Sequence, residues 1–335
     1  MRKTISLLLP ALVWGLGAAV SAQTADVDPN GALVNARSAG GSGRALGDLV
    51  AGPWDVETGP NDNRCLGVEY AWGHYWVTGR GNTATGDNYM IHQYDSDGVY
   101  VASYAQNVSA VNVGGWGGRD MEADEVANLL WVGNDNGHVE VMSYDPISGG
   151  LSYHSTVITS VPGTVRALCR TPVSGNFFTK SFTSSMYEFD MATGAVINPF
   201  VHANVSSYGF GWDDATGMIW STDAGASATE VDPATGLATG RGFTTVLGGS
   251  QGGADVYNDP RNTNGLSMVM LHQATPDSIA VYDTTGPPPP PPPTQWTVNL
   301  PSAFLPADGY FDDFEAYGGA VPPHMATTAV DPLTG

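Results

Sequence analysis

A short phrase recurs five times along the chain: an aromatic or aliphatic residue, Asp, a brief gap, then Gly. The copies are Tyr94-Asp95 with Gly98, Tyr144-Asp145 with Gly149, Phe189-Asp190 with Gly194, Val231-Asp232 with Gly236, and Tyr282-Asp283 with Gly286. Successive Asp residues stand 50, 45, 42 and 51 positions apart. The chemistry is that of a turn, because an Asp carboxylate accepts backbone N–H groups two residues on and Gly supplies a positive φ. Each copy follows a run rich in Val, Ile, Tyr, Phe, Trp and Thr, the residues that fit a pleated surface, and the first four also precede one. A repeat of this length with several strands per unit is the signature of a β-propeller blade.

The strand-like runs group into blades spanning about 64–111, 116–161, 163–204, 206–247 and 251–285. The first four units each hold four strands. The fifth holds three before Gly286 leads into proline, while residues 45–58, with Leu46, Leu49, Val50, Trp54 and Val56, supply a spare strand at the other end. A ring closed by that N-terminal strand removes the exposed edges that otherwise pair with other chains. The expected fold is therefore all-β, a five-bladed propeller, with six blades as the alternative count, and monomeric.

Both ends carry other material. Residues 1–22 read as a signal peptide: Arg2 and Lys3, an apolar stretch from Ile5 to Val20, and a small-residue site at Val20-Ser21-Ala22 that leaves Gln23 as the mature N-terminus. Residues 23–44 read as a flexible leader and 45–286 as the propeller. Pro287–Pro293, seven consecutive prolines, form a polyproline II spacer on the order of 20 Å long. Residues 294–335 are too few and too polar for a sizeable core and read as the truncated start of another module. No later run is long and apolar enough to span a bilayer as a helix.

Net charge is −21, with lysine only at positions 3 and 180. That argues against nucleic acid as a partner, which needs a basic face. Cys65 and Cys169 fall on inner strands of non-adjacent blades, beyond the roughly 7 Å reach of a disulfide, and read as buried thiols.

The five-fold phrase, together with Leu66-Gly67-Val68-Glu69-Tyr70, Gly163-Thr164-Val165-Arg166-Ala167-Leu168, Met186-Tyr187-Glu188-Phe189-Asp190 and Ser207-Tyr208-Gly209-Phe210-Gly211-Trp212, resembles exported bacterial β-propellers with repeats of the WD40, NHL and YVTN types. The resemblance implies a secreted or cell-surface module that binds an extracellular protein or glycan. Asp312-Asp313-Phe314-Glu315-Ala316-Tyr317 resembles the opening strand of laminin-G-like or concanavalin-like jelly rolls. The Trp-Asp dipeptides Trp54-Asp55 and Trp212-Asp213 stand out of phase with the repeat.

Alternation along the five inner strands puts Glu69, Asp120, Glu122, Arg166 and Asp255 on the side of the axial channel, beside Gly67, Leu168, Gly209, Gly211 and Gly253, with Val68, Met121, Ala167 and Phe210 on the core side. Four carboxylates around a narrow axis repel one another unless something offsets them. A hard cation such as Ca²⁺, which takes several oxygen ligands, is one expected occupant. A water-filled channel with Arg166 pairing an acid is the other. The same carboxylates are the candidates for a hydrolase of lactonase or glycosidase type, the alternative to a non-enzymatic binding role. Gly248-Gly249-Ser250-Gln251-Gly252 matches a nucleophile-elbow pattern but lies between blades, without the strand–turn–helix that gives the pattern meaning. The seven histidines show no metal-ligand spacing. Trp76, Trp131 and Trp220 take equivalent second-strand positions and read as packing, whereas Trp72 and Trp116 fall in loops and are candidates for a recognition surface.

Overall fold

A computed structural model describes residues 44–107, 115–200 and 206–285. The segment read above as a signal peptide, nearly all of the one read as a leader, the proline run and residues 294–335 lie outside the described residues.

Among the described residues the strands form five four-stranded antiparallel sheets. Blade one comprises β2 (Cys65–Ala71), β3 (His74–Gly79), β4 (Met90–Asp95) and β5 (Tyr100–Ala105). Blade two comprises β6 (Gly118–Asp124), β7 (Leu129–Asn134), β8 (His138–Asp145) and β9 (Gly150–Ile158). Blade three has β10 (Ala167–Arg170), β11 (Phe177–Lys180), β12 (Met186–Phe189) and β13 (Val196–Phe200), and blade four β14 (Gly209–Asp213), β15 (Met218–Thr222), β16 (Ser227–Asp232) and β17 (Leu237–Thr244). Blade five has β18 (Ser250–Tyr257), β19 (Ser267–Gln273) and β20 (Ser278–Asp283), and its outer strand is β1 (Leu49–Asp55). The β1–β20 pairing, from Leu49 opposite Tyr282 to Asp55 opposite Ser278, joins the first strand of the ring to the last. The fold is a five-bladed β-propeller; the six-bladed alternative is set aside by the five sheets.

The first four copies of the Asp-to-Gly phrase form the turn from the third strand of a blade to the fourth; the fifth lies at the end of β20, and its Gly286 lies outside the described residues. Asp145 shows the pattern: its Oδ1 accepts the Ile147 N–H at 2.9 Å, its carbonyl accepts the Gly149 N–H at 2.8 Å, and Gly149 sits at φ 71°. Asp95, Asp190 and Asp232 repeat it, with Gly98, Gly194 and Gly236 between 70° and 75°. The out-of-phase Trp212-Asp213 uses the same chemistry elsewhere, for Asp213 closes the β14–β15 turn onto Gly217.

The core lies between blades, in five apolar clusters. Blades one and two close on Trp76, Ile91, Met121, Leu130, Val132 and Met142, and blades three and four on Ala167, Cys169, Phe178, Phe210, Ile219 and Val231. Trp76 and Trp220 are wholly buried and Trp131 nearly so. Cys65 belongs to the cluster between blades five and one, Cys169 to that between three and four, and both are buried free thiols.

Candidate functional site

The five inner strands β2, β6, β10, β14 and β18 run side by side around the axis, so residues at equivalent positions share a level. Val68, Met121, Leu168, Phe210 and Ala254 occupy one level, each in the cluster with the preceding blade. This corrects the sequence register of blade three. Leu168 packs in the core between blades two and three, while Ala167 and Cys169 face blade four. The strand Ala-Leu-Cys is apolar on both faces, so no alternation marks its register.

Asp120 sits at the centre of the ring. Its Oδ2 accepts the Leu168 N–H at 3.0 Å and the Phe210 N–H at 2.8 Å, and its Oδ1 accepts the Ala254 N–H at 3.1 Å. One side chain on β6 thus ties three other inner strands, and it is fully buried. Burial raises its pKa, and the backbone N–H bonds pull the other way. Glycines make the close approach possible. A Cβ on Gly253 would fall 2.1 Å from Asp120 Oδ1, and one on Gly67 2.1 Å from the Arg119 carbonyl oxygen. The axis is therefore filled at this level by a hydrogen-bonded carboxylate.

Two residues further along, the remaining inner acids link blade to blade. Asp255 Oδ2 accepts the Tyr70 N–H at 3.2 Å, Glu69 Oε1 the Ala123 N–H at 2.9 Å, and Glu122 Oε2 the Arg170 N–H at 3.1 Å. Each acid reaches the inner strand of the next blade. The circle stops at blades three and four, where Cys169 and Gly211 hold the equivalent positions. Burial, then the neighbouring Asp255 and Glu122, pushes the Glu69 carboxyl well up, and its Oε2 is buried with no partner among the described residues. Burial and then Asp255 push up Glu122, and burial lifts Asp255 to about 7.

Beyond this level, at the C-terminal ends of the inner strands, lies a cavity of about 230 Å³. Glu122 and Asp255 line its floor, with Asp124, Glu125, Arg170 and Trp212 among its walls, and Asp214 also reaches it. Arg170 is held by Asp124 at 2.6 Å. Asp124, Glu125, Arg170 and Asp214 were not singled out from the sequence, and Trp212 was noted only for its out-of-phase Trp-Asp dipeptide; acids at or just past the ends of inner strands are the signal that marks Asp124, Glu125 and Asp214. No three His, Cys, Asp or Glu side chains among the described residues are grouped so as to hold a metal ion.

At the opposite end the character reverses. Arg119 stands one residue before Asp120 and donates to Asp135 Oδ1 from Nε at 2.9 Å and Nη2 at 2.6 Å. Arg166 pairs no acid among the described residues. Its guanidinium lies 3.7 Å from the centre of the Phe182 ring and 5.7 Å from that of Tyr208. Trp116, 44% exposed, is flanked by Arg80 and Arg119 at 5.0 and 5.5 Å from its ring. Trp72 differs from the sequence expectation. It occupies the β2–β3 turn, half-buried, with its ring stacked 4.2 Å from Tyr144, and so packs blade one on blade two.

A hydrogen-bonded row of Asp62, His92 and Ser103 has the residue types of a hydrolytic triad, at 3.0 Å and 2.7 Å. Asp62 also accepts the Arg64 and Gly81 N–H groups, Ser103 is bonded to the Tyr100 hydroxyl at 2.8 Å, and His92 and Ser103 are direct partners across β4 and β5. The row joins the loop before β2 to the outer strands of its blade.

No protein-family model and no curated protein matches the sequence. Among solved structures, the chain is similar to the WD40 β-propeller domain of Doa1, at 13% identity and a TM-score of 0.40, over 64% of this chain and 62% of that one.

Proposed function

We propose that the chain is an exported, non-enzymatic binding module that works at the cell surface or in the medium and takes a positively charged group of an extracellular protein or glycan into the acid-lined cavity. The observation that carries this reading is that each inner carboxylate, on Asp120, Glu69, Glu122 and Asp255, already accepts at least one backbone N–H from another blade. They serve as staples of the ring, and Asp124 is paired with Arg170, which leaves Asp214 and the second oxygen of Glu125 at the rim to meet a cation. Export rests on the signal-like residues 1–22.

A hydrolase remains the second reading, favoured by one observation: Glu122 and Asp255, both with raised pKa values, face one cavity, as an acid–base pair requires. Fluorescence anisotropy with a labelled oligolysine peptide and with an amine-bearing oligosaccharide tests the two together. Binding should weaken about tenfold, or 1.4 kcal/mol, in both Asp214→Asn and Trp212→Ala. No turnover of chromogenic lactones or aryl glycosides is expected. Binding unchanged by both substitutions sinks the cavity reading, and turnover abolished by Glu122→Gln replaces it with the hydrolase. Protein recovered from the medium should begin at Gln23.

A further inference from the structure

Arg166 is 8% exposed, and its Nε has no hydrogen-bond partner among the described residues. The acid nearest in charge, Asp135, is already held by two nitrogens of Arg119 and by the Trp116 N–H. Asp87, further round the rim, is shared between Arg64 and Arg80. The guanidiniums of Arg64, Arg80 and Arg119 thus share these two carboxylates, and Arg166 is left without an ion-pair partner among the described residues. Burial and then Arg119 lower its pKa to about 10. A buried charge without a counter-ion is expensive, and a fold that keeps one has a use for it.

The neighbouring Phe182 is unusual in the same way. It has φ 46°, a region an aromatic residue rarely enters, and it is held there by reciprocal backbone hydrogen bonds to Ser207 at 3.2 and 3.0 Å. The ring stays 39% exposed, edge-on to Tyr208, and lies over the guanidinium. This holds an apolar ring beside an unmatched cation.

We propose that Arg166, assisted by Arg119, is an oxyanion-binding site at the N-terminal end of the inner strands, taking the carboxylate of a ring-bearing ligand, such as an acidic sugar, whose ring rests on Phe182. A guanidinium fork matches a carboxylate in two parallel hydrogen bonds, and the exposed aromatic face covers the ring attached to it. This inference is independent of the cation-binding cavity. Arg166 and Arg170 bracket one inner strand, roughly 13 Å apart at about 3.3 Å per residue, and the Asp120 level lies between the two ends.

Thermal melting of the full chain in sodium glucuronate, and in glucose with sodium chloride at matched ionic strength, tests it. Glucuronate should raise Tm above the glucose control, and sodium sulfate should give a smaller rise. In Arg166→Met the glucuronate increment should vanish, while Tm without ligand should hold or rise by about 2–4 °C because the unmatched charge is gone. Arg166→Lys, which keeps the charge but loses the fork, should retain less than half of the increment, and provides the comparison if the Met variant does not fold. No increment in the wild-type chain overturns the proposal. So does an equal increment in both variants, or an Arg166→Met protein that folds but melts well below wild type.

Discussion

Asp120 shows how much one side chain decides in this ring. Its two oxygens take the N–H groups of Leu168, Phe210 and Ala254, which face the axis rather than a neighbouring strand of their own sheet. Replacing it with Ala leaves three buried donors unmatched, at about 1–3 kcal/mol each. We expect Asp120→Ala to lower Tm by on the order of 10 °C in calorimetry. A variant that melts within about 2 °C of wild type contradicts the central role assigned to the carboxylate. The sequence placed Asp120 near the axis because alternation along β6 is readable. It did not show whether the charge met a cation, a guanidinium or backbone N–H groups, since all three need the other blades in place.

At the scale of the strand, β1 is the element on which ring closure depends. It covers β20, whose Ile279, Ala280, Val281 and Tyr282 are wholly buried. The missing fourth strand of blade five, marked by Gly286 running into proline, made that closure legible in the sequence. A chain lacking residues 45–56 should expose β20 as a flat apolar edge and form oligomers or aggregates, because unpaired edges recruit other strands. Size-exclusion chromatography with light scattering reads this directly; a shortened chain that stays monomeric with an unchanged Tm shows that β1 is dispensable. The strand least legible was β10. Its sequence, Ala-Leu-Cys-Arg, gives no polar–apolar alternation, so the register of blade three, and with it the direction of Leu168, came only with its neighbours.

For the whole molecule, the buried acids set the dependence on pH. Burial pushes Glu69 and Glu122 up and lifts Asp255, Asp277 and Glu140 to about 7. Between about 4 and 7 these carboxyls keep their protons in the folded chain and lose them in the unfolded one. The folded state then binds more protons, so stability falls as pH rises through that window. His272, buried and lowered to about 4, acts in the opposite direction between about 4 and 6.5, but it is one group against several. The net charge of −21 adds self-repulsion as the acids ionise. The urea midpoint should therefore drop between pH 5 and pH 7.5, and Asp255→Asn should reduce that drop. A midpoint that climbs over the same range means the inner acids are ionised in the folded chain.

The residues themselves determined the blades. Each Asp-to-Gly turn is set by bonds within five residues, as from Asp145 to Gly149, and strand order follows from such local events. The aromatic positions on second strands and the spare N-terminal strand were likewise open to reading. Only the tertiary structure decided what the charges do. The donors to Asp120 come from 48, 90 and 134 residues away, and no local pattern encodes a contact of that separation. The same holds for Trp72, a turn residue by sequence and an inter-blade contact once Tyr144 stands beside it. Glu122, Asp214 and Asp255 meet at one end of the axis and Arg119 and Arg166 at the other because the five inner strands run in one direction, and that alignment exists only once the ring has closed.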